Sequence, residues 1–420
     1  MLQVLSSAWA LLLGLGMLMI GNGLQGTLLG VRGSLEGFST LELSFVMSAY
    51  FVGFLGGSRM APEMIRRVGH VRVFAALASL ISSVMILYPL LNHPMFWVLG
   101  RVIIGFCFSG VYVTAESWLN NAADNANRGK ALSLYMIVMM LGVVASQAIM
   151  IFADPSGYET FIIASVLISV SFAPILLSIS PTPAFETTKP KSLREIMRIS
   201  PLGCVGMFLL GSVFSAQFGM SAVYGAQAGL SVPQISIFVG TFYVGALILQ
   251  YPLGWLSDRM DRRRLILIVS ALGGGASVLG MMLGDVFGLL LVAAFVVGGT
   301  TNPLYSLLIA HTNDFLEHED MAAASGGLVF INGLGAVAGP LITGWLMGEN
   351  VFGAPGYFLL LVVLLFLLAG YAAYRMTRRA AVPADYTGTL SPMSPTSTPI
   401  AVEFAQEVAI EADQDEQSVA

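Results

Sequence analysis

Apolar residues run in long blocks along most of this chain, and charge is confined to short clusters between them. A bilayer core of about 30 Å takes about 20 apolar residues as a helix, so each block is long enough to cross once. The runs 1–31, 131–153, 160–185, 265–284, 321–348 and 350–374 carry no Lys or Arg away from their edges. The uncharged stretch 199–257 is too long for one helix, and the turn-forming residues of "GLSVPQIS" (229–236) divide it. The pattern predicts twelve spans, centred near residues 19, 50, 82, 106, 142, 170, 213, 244, 275, 298, 334 and 365. Continuous runs, rather than ten-residue alternation, make these helices and not barrel strands. The first seven residues carry no basic cluster and the first run is long enough to span, so no cleavable signal is expected.

Composition agrees with that pattern. Of the 420 residues 56% are hydrophobic and 10% charged, against about 25% charged in soluble domains. Basic residues favour short cytoplasmic loops. With both termini inside, 17 of the 19 Lys and Arg fall on the cytoplasmic side, leaving Arg32 outside and Arg101 within a span. Cys107 and Cys204 both lie inside spans and read as small apolar residues. The four histidines show no ligand spacing, so neither a metal nor a cofactor is expected. Past Arg379 the chain turns to "SPMSPTSTP" (391–399) and then to an excess of acid, which predicts a disordered, solvating tail.

The two halves repeat. Arg67 and Arg72 shifted by 192 fall on Arg259 and Arg264, and "LGVVASQ" (141–147) shifted by 193 falls on "LGAVAGP" (334–340). The expected organisation is an all-α membrane protein of twelve transmembrane helices in two pseudo-symmetric six-helix bundles. Its parts are bundles at 1–180 and 201–378, a cytoplasmic linker at 181–200, and a disordered acidic tail at 379–420. Parallel six-span repeats with a site between them at mid-membrane are a secondary-transporter architecture.

One charged turn makes the resemblance specific. "GWLSDRMDRRR" (254–264) resembles the signature of the major facilitator superfamily (MFS), departing from it at Asp261, where Gly is usual. "RVIIGFCFSG" (101–110) resembles the superfamily's helix 4 signature. "LQYPLGWLSDRMDRRR" and "GVYVTAESWLNNAADNANRGKALSLY" further resemble the YcaD-like group of bacterial inner-membrane transporters. The resemblance implies two bundles that rock around a central site by alternating access, with transport of small solutes as the activity. It also implies that helices 1, 4, 7 and 10 line the cavity. Superfamily antiporters carry Gly-Pro on helix 5; here span 5 has Ser146-Gln147 and the Gly339-Pro340 pair is on span 11, which speaks against drug efflux by antiport.

Arg101 is the first candidate for chemistry, because a charge at a helix centre costs about 2.5–3.5 kcal/mol on insertion scales. Its expected partners are polar groups or an anionic solute, and the superfamily resemblance implies a role in proton coupling; the plainer reading is an arginine that snorkels outward or pairs with a carbonyl. Glu116, 15 residues on, is about 22 Å away along the helix and cannot pair with it. Glu116 reads either as a protonatable carboxylate of the cytoplasmic half or as an interfacial anchor beside Trp118. Substrate-cavity candidates are Asn22, Gln25, Gln217, Asn302 and Tyr305, weighed against simple interhelical hydrogen bonding.

A cytoplasmic gate is expected at Gly254, Asp258, Arg259 and Arg262, with Arg66 and Arg67 in the first-half copy and Arg128 and Lys130 before span 5. The superfamily fold implies that Asp258 faces the start of helix 5 and Arg66 the acidic loop before helix 11; the plainer reading is solvated topology determinants. The leading function is a proton-coupled secondary transporter of a small organic solute, monomeric, with no nucleic-acid partner. The alternative is a transport-inactive receptor or regulatory protein. An enzyme built on His311 and Asp314 is weaker, and no P-loop is present for ATP drive.

Overall fold

A computed structural model of the chain describes residues 2–122, 128–177, 192–378, 390 and 393–408. Among the described residues twelve long apolar helices form, and each expected centre lies within one of them. They are α1 (Leu2–Leu35), α2 (Thr40–Val68), α3 (His70–Leu87), α4 (Pro94–Ala122), α5 (Arg128–Met150) and α6 (Glu159–Ser171). The second series is α7 (Pro201–Gln227), α8 (Val232–Ser257), α9 (Arg262–Leu283), α10 (Phe287–Asn313), α11 (His318–Leu346) and α12 (Gly356–Met376). Local chemistry sets their ends. Ser39 and Glu42 form a reciprocal capping box at the start of α2, as Ser192 and Glu195 do for a short linker helix, Leu193–Ile199. Ser231 N–H donates to Gln234 Oε1 at 2.9 Å, so the division expected at "GLSVPQIS" is a helix start.

Backbone contacts repeat with the sequence. A Cβ on Gly53 would collide with the Val102 carbonyl, and one on Gly105 with the Tyr50 carbonyl; in the second half Gly245 meets the Phe295 carbonyl and Gly298 that of Phe242. Each of these four positions is displaced from its counterpart by the sequence repeat. Small residues thus let α2 approach α4, and α8 approach α10, backbone to backbone.

Close packing divides the chain into two compact units. Unit 1 comprises Met1–Thr187, Ser215–Gly240 and Val337–Tyr357; unit 2 comprises Thr188–Phe214, Thr241–Ala336 and Phe358–Ala420. Unit 1 therefore takes in the later part of α7, the start of α8 and the end of α11. There Thr40 Oγ1 donates to the Gly344 carbonyl at 3.3 Å, Ser48 Oγ to that of Val337 at 2.6 Å, and Gly30 lies tight against Ala222. On the side carrying the α1–α2, α7–α8 and α11–α12 loops, these contacts pack helices of both sequence halves together.

The tail departs from expectation. Residues 399–408 form a helix, α13, inside unit 2, with Ala401, Val402, Phe404 and Ala405 buried. Thr398 accepts the first helical bond from Val402 N–H, and Pro399 occupies the first helical position, where its missing N–H costs nothing. Glu403 and Glu407, four apart, are both partly exposed, so the acids do not oppose burial of the apolar face. The disorder expected of 379–420 is therefore corrected at 390 and 393–408; the remainder of that range lies outside the described residues.

Candidate functional site

Arg101 lies on α4 one turn before Gly105, where the backbone of α2 comes closest. It is fully buried, so the snorkelling reading fails. Its guanidinium sits 4.7 Å from the centroid of the Tyr50 ring, and Nη2 reaches Met47 Sδ at 3.5 Å. Among the described residues Nε and Nη1, and the hydroxyl of Tyr88, are buried without a hydrogen-bond partner. A desolvated cation–π contact contributes about 2 kcal/mol or more, close to the insertion cost of the charge. The face of the Tyr50 ring supplies here what a carboxylate supplies elsewhere.

Around that pair the site is aromatic and sulfur-rich. Tyr50 contacts Phe51, Phe54, Phe108 and Phe218 at centroid distances of 5.3 to 6.4 Å. Phe218 comes from a π-helical turn in α7, Ala216–Met220, which also carries Gln217 and brings Gly219 against Met47. Single π turns in α-helices are frequent at functional sites. Composition and periodicity do not reveal this one, because it changes the register within a long uncharged run.

Positions 101, 105, 108, 112 and 116 share one face of α4 by helical spacing. Asn22 Nδ2 donates to Tyr112 OH at 2.9 Å, and Gln25 Nε2 to Asn22 Oδ1 at 3.1 Å. Two cavity candidates are thereby joined to α4 through a tyrosine the sequence reading passed over. Glu116 is buried and accepts a bond from Tyr135 OH of α5 at 2.7 Å. Trp118 is buried beside it, which removes the interfacial-anchor reading. His70 Nε2 and Ser117 Oγ, 3.0 Å apart, add a second polar pair on the next residue.

The remaining candidates lie in unit 2 or at helix ends. Asn302 and Tyr305 are both buried on α10, flanking Pro303. Arg262 is buried and pairs with Asp314, with Asp258 Oδ1 3.9 Å from its Nη2, and donates to the Ala310 carbonyl at 3.3 Å. Burial pushes Asp314 up to about 6 from its ordinary 3.8, outweighing the opposing charge of Arg262. Asp314 is thus part of an ion pair, and His311 packs edge-on to Phe315. Arg259 folds back over the Trp255 ring at 4.2 Å. Gly254 faces Leu390. Arg66 and Arg67 are exposed and both bind Glu63, at 2.6 and 2.7 Å, while Arg128 and Lys130 stand in the first turn of α5.

The profile of the Major Facilitator Superfamily matches residues 11–231 and again 202–397, spanning the twelve helices and both repeats. The chain belongs to this superfamily. Its curated relatives include MFS-type transporter YcaD of Escherichia fergusonii, 24% identical over 343 residues, covering 80% of this chain and 88% of that protein. MFS-type transporter YfkF of Bacillus subtilis is 26% identical over 312 residues, covering 71% and 77%. Both are uncharacterized proteins, and they place the chain in the YcaD-like group. The fold resembles that of the nucleoside transporter NupG, with TM-score 0.69 at 12% identity over 88% of this chain and 100% of that one. It also resembles a bacterial homolog of the human lysosomal transporter Spinster in an inward-facing and occupied conformation, with TM-score 0.71, 15% identity and coverage of 89% and 97%. As an MFS protein with twelve candidate spans, the chain is a multi-pass membrane transporter of solute.

Proposed function

We propose that this transporter is a proton-coupled carrier of a small organic solute, working by alternating access with both termini in the cytoplasm. The observation that carries the reading is Arg101, a buried cation held by an aromatic ring and retaining unbonded N–H groups in the membrane. Such a group costs insertion energy, and an anionic or acceptor-rich solute would use it. The surrounding rings favour a solute with an apolar or aromatic body and no more than a single negative charge. Glu116, bonded to Tyr135 on the same face of α4, is the group assigned to carry the proton. Asn22, Gln25, Gln217, Asn302 and Tyr305 are assigned to solute contact. With the orientation set by the basic loops, the side carrying the α1–α2, α7–α8 and α11–α12 loops is external.

The gate assignment extends this reading: Asp258 meets the start of α5 when the inner side closes. A double-mutant cycle on flux with Asp258→Asn and Lys130→Gln should show coupling, and strict additivity removes the pair. The principal test is solute flux into proteoliposomes under an imposed pH gradient, with solutes first selected by thermal shift, since a native-state ligand raises stability. Arg101→Ala and Glu116→Gln should each abolish gradient-driven uptake. Uptake unchanged in both removes these residues from the mechanism, and ligand binding without flux in the wild type favours the receptor alternative.

A further inference from the structure

At one end of unit 2 a recess continuous with solvent encloses about 260 Å³ of open space, where the starts of α7 and α9 meet the ends of α10 and α12. Arg263, His311 and Arg375 contribute its polar wall, and Leu202 and Phe315 an apolar one. Asp261 holds the Arg263 guanidinium by two contacts, Nε to Oδ1 at 3.2 Å and Nη2 to Oδ2 at 2.9 Å, so that side chain is fixed in place. Arg375, in the last turn of α12, forms no ion pair among the described residues and supplies uncompensated charge. The start of α7 is already capped, since Ser200 Oγ accepts from Gly203 N–H at 3.2 Å. What the recess offers a ligand is therefore its cations.

Basic residues continue around the rim. Arg198, Arg264 and Arg378, each close in the chain to a lining position, are exposed. The acids Asp261 and Asp314, which flank the lining residues in sequence, are each bound to an arginine. The level of the recess in the membrane points to the source of a ligand. Trp255 of α8 and Tyr374 of α12 are half-exposed, and each lies beneath an arginine one turn on, Arg259 at 4.2 Å and Arg378 at 5.7 Å. Tryptophan and tyrosine gather at the depth of lipid headgroups, so Arg375, next to Tyr374, stands where phosphate esters are densest.

We propose that this recess binds the phosphate of an anionic phospholipid, with Arg375 as its principal cation, Arg263 as a fixed second charge, and the glycerol end of the lipid against Leu202 and Phe315. Basic pockets between transmembrane helices take such headgroups. Free phosphate presents the same oxygens but gains nothing from the apolar wall, so the lipid is the occupant the recess favours. The site lies within unit 2 alone and is independent of the solute and of proton coupling. A headgroup seated there bridges α7, α9, α10 and α12 and stabilises that end of the bundle.

The test uses the full-length chain, purified in detergent and stripped of lipid. Phosphatidylglycerol should raise its melting temperature, because a ligand of the native state stabilises it; phosphatidylcholine or inorganic phosphate at equal concentration should not. Native mass spectrometry should show phosphatidylglycerol retained by the wild type and bound about fivefold more weakly, or worse, by Arg375→Gln, the effect of losing one basic residue at a membrane surface. Arg375→Lys keeps the charge and should keep most of the binding. Arg72→Gln, which removes an exposed arginine at the start of α3, should leave binding unchanged. Melting of Arg375→Gln without lipid should match the wild type, which separates lost binding from lost folding. Equal losses in Arg375→Gln and Arg72→Gln would reduce the effect to general charge and overturn the site. Stabilisation by inorganic phosphate equal to that by phosphatidylglycerol would overturn the lipid as occupant. Phosphatidylglycerol bound no better than phosphatidylcholine by the wild type would overturn the recognition of an anionic headgroup.

Discussion

Gly105→Ala tests the link between helix packing and the Arg101 site. An added Cβ would stand 2.7 Å from the Tyr50 carbonyl carbon and 3.0 Å from its Cα, besides colliding with the carbonyl oxygen. Carbon contacts are most favourable at about 3.5–4.0 Å, so α2 and α4 must part by about 1 Å. Overpacking costs about 1–3 kcal/mol, and the upper end applies because the opposing group is backbone and has no other rotamer. Helix propensity returns about 0.5–1 kcal/mol, leaving a loss of about 2 kcal/mol. At about 2–4 °C per kcal/mol for a domain of 150–250 residues, the melting temperature in detergent should fall by about 4–8 °C. Gly298→Ala, the counterpart in the repeat, should lose a similar amount. Gly275→Ala, with no atom within 4 Å of its added Cβ, should melt at or slightly above the wild type. The separation also shifts the Tyr50 ring from beneath Arg101, so Gly105→Ala should lose solute-induced thermal stabilisation. A Gly105→Ala protein that melts with the wild type and keeps that stabilisation would refute the backbone contact and its role in forming the site.

Other outcomes follow from the same geometry. Arg101→Met should raise the melting temperature while abolishing flux, because replacing a buried charge by apolar volume is often neutral or stabilising by about 1–4 kcal/mol; a lower melting temperature would show that the aromatic ring more than offsets the charge. Tyr135→Phe and Glu116→Gln act through one 2.7 Å contact, so their flux losses should be non-additive in the double variant, and additive losses would separate their roles. Asp314, raised by burial to about 6, binds its proton more tightly folded than unfolded. Its contribution to stability is thus fully present below pH of about 4 and lost as pH rises through about 6. Melting curves of Asp314→Asn should show a shallower fall across that window, and an unchanged slope would assign the pH dependence to other groups.

The twelve helices were legible because a membrane span announces itself by length and lack of charge. The division of "GLSVPQIS" was legible too, since Ser231 and Gln234 carry a helix-start pattern in the sequence itself. Arg101 and Glu116 stood out as charges among apolar residues. Their partners did not: Tyr50, Tyr88, Tyr112 and Tyr135 read as ordinary apolar-run residues, and only the crossing of α1, α2, α4 and α5 makes them neighbours. The π turn at Gln217 was hidden for a related reason, since an inserted residue in a long uncharged run with few polar positions leaves no clear break in periodicity. The tail misled by composition. Its Ser, Pro and acid content masks a Thr398-Pro399 helix start and an apolar face at 401, 402, 404 and 405, which is buried, while Gln406 reaches Asn313 of α10 and Ser325 of α11.

The two charged turns diverge for structural reasons that the family signature alone does not contain. Gly69 adopts φ +85°, a region that favours glycine, and the first-half turn meets its own charge by pairing Arg66 and Arg67 with Glu63. In the second half the equivalent position, Asp261, has φ −54° and no need of glycine. Its carboxylate instead caps α9, accepting from Arg263 N–H at 2.9 Å, so the departure from the family pattern is a helix cap. Arg262 is drawn inward to Asp314, and Asp258 is left to accept from the tail. A duplicated motif has thus been put to two uses: in the first copy Arg66 and Arg67 share Glu63 within their own helix, while the second links α8, α9 and the end of α10 through Asp258, Arg262 and Asp314.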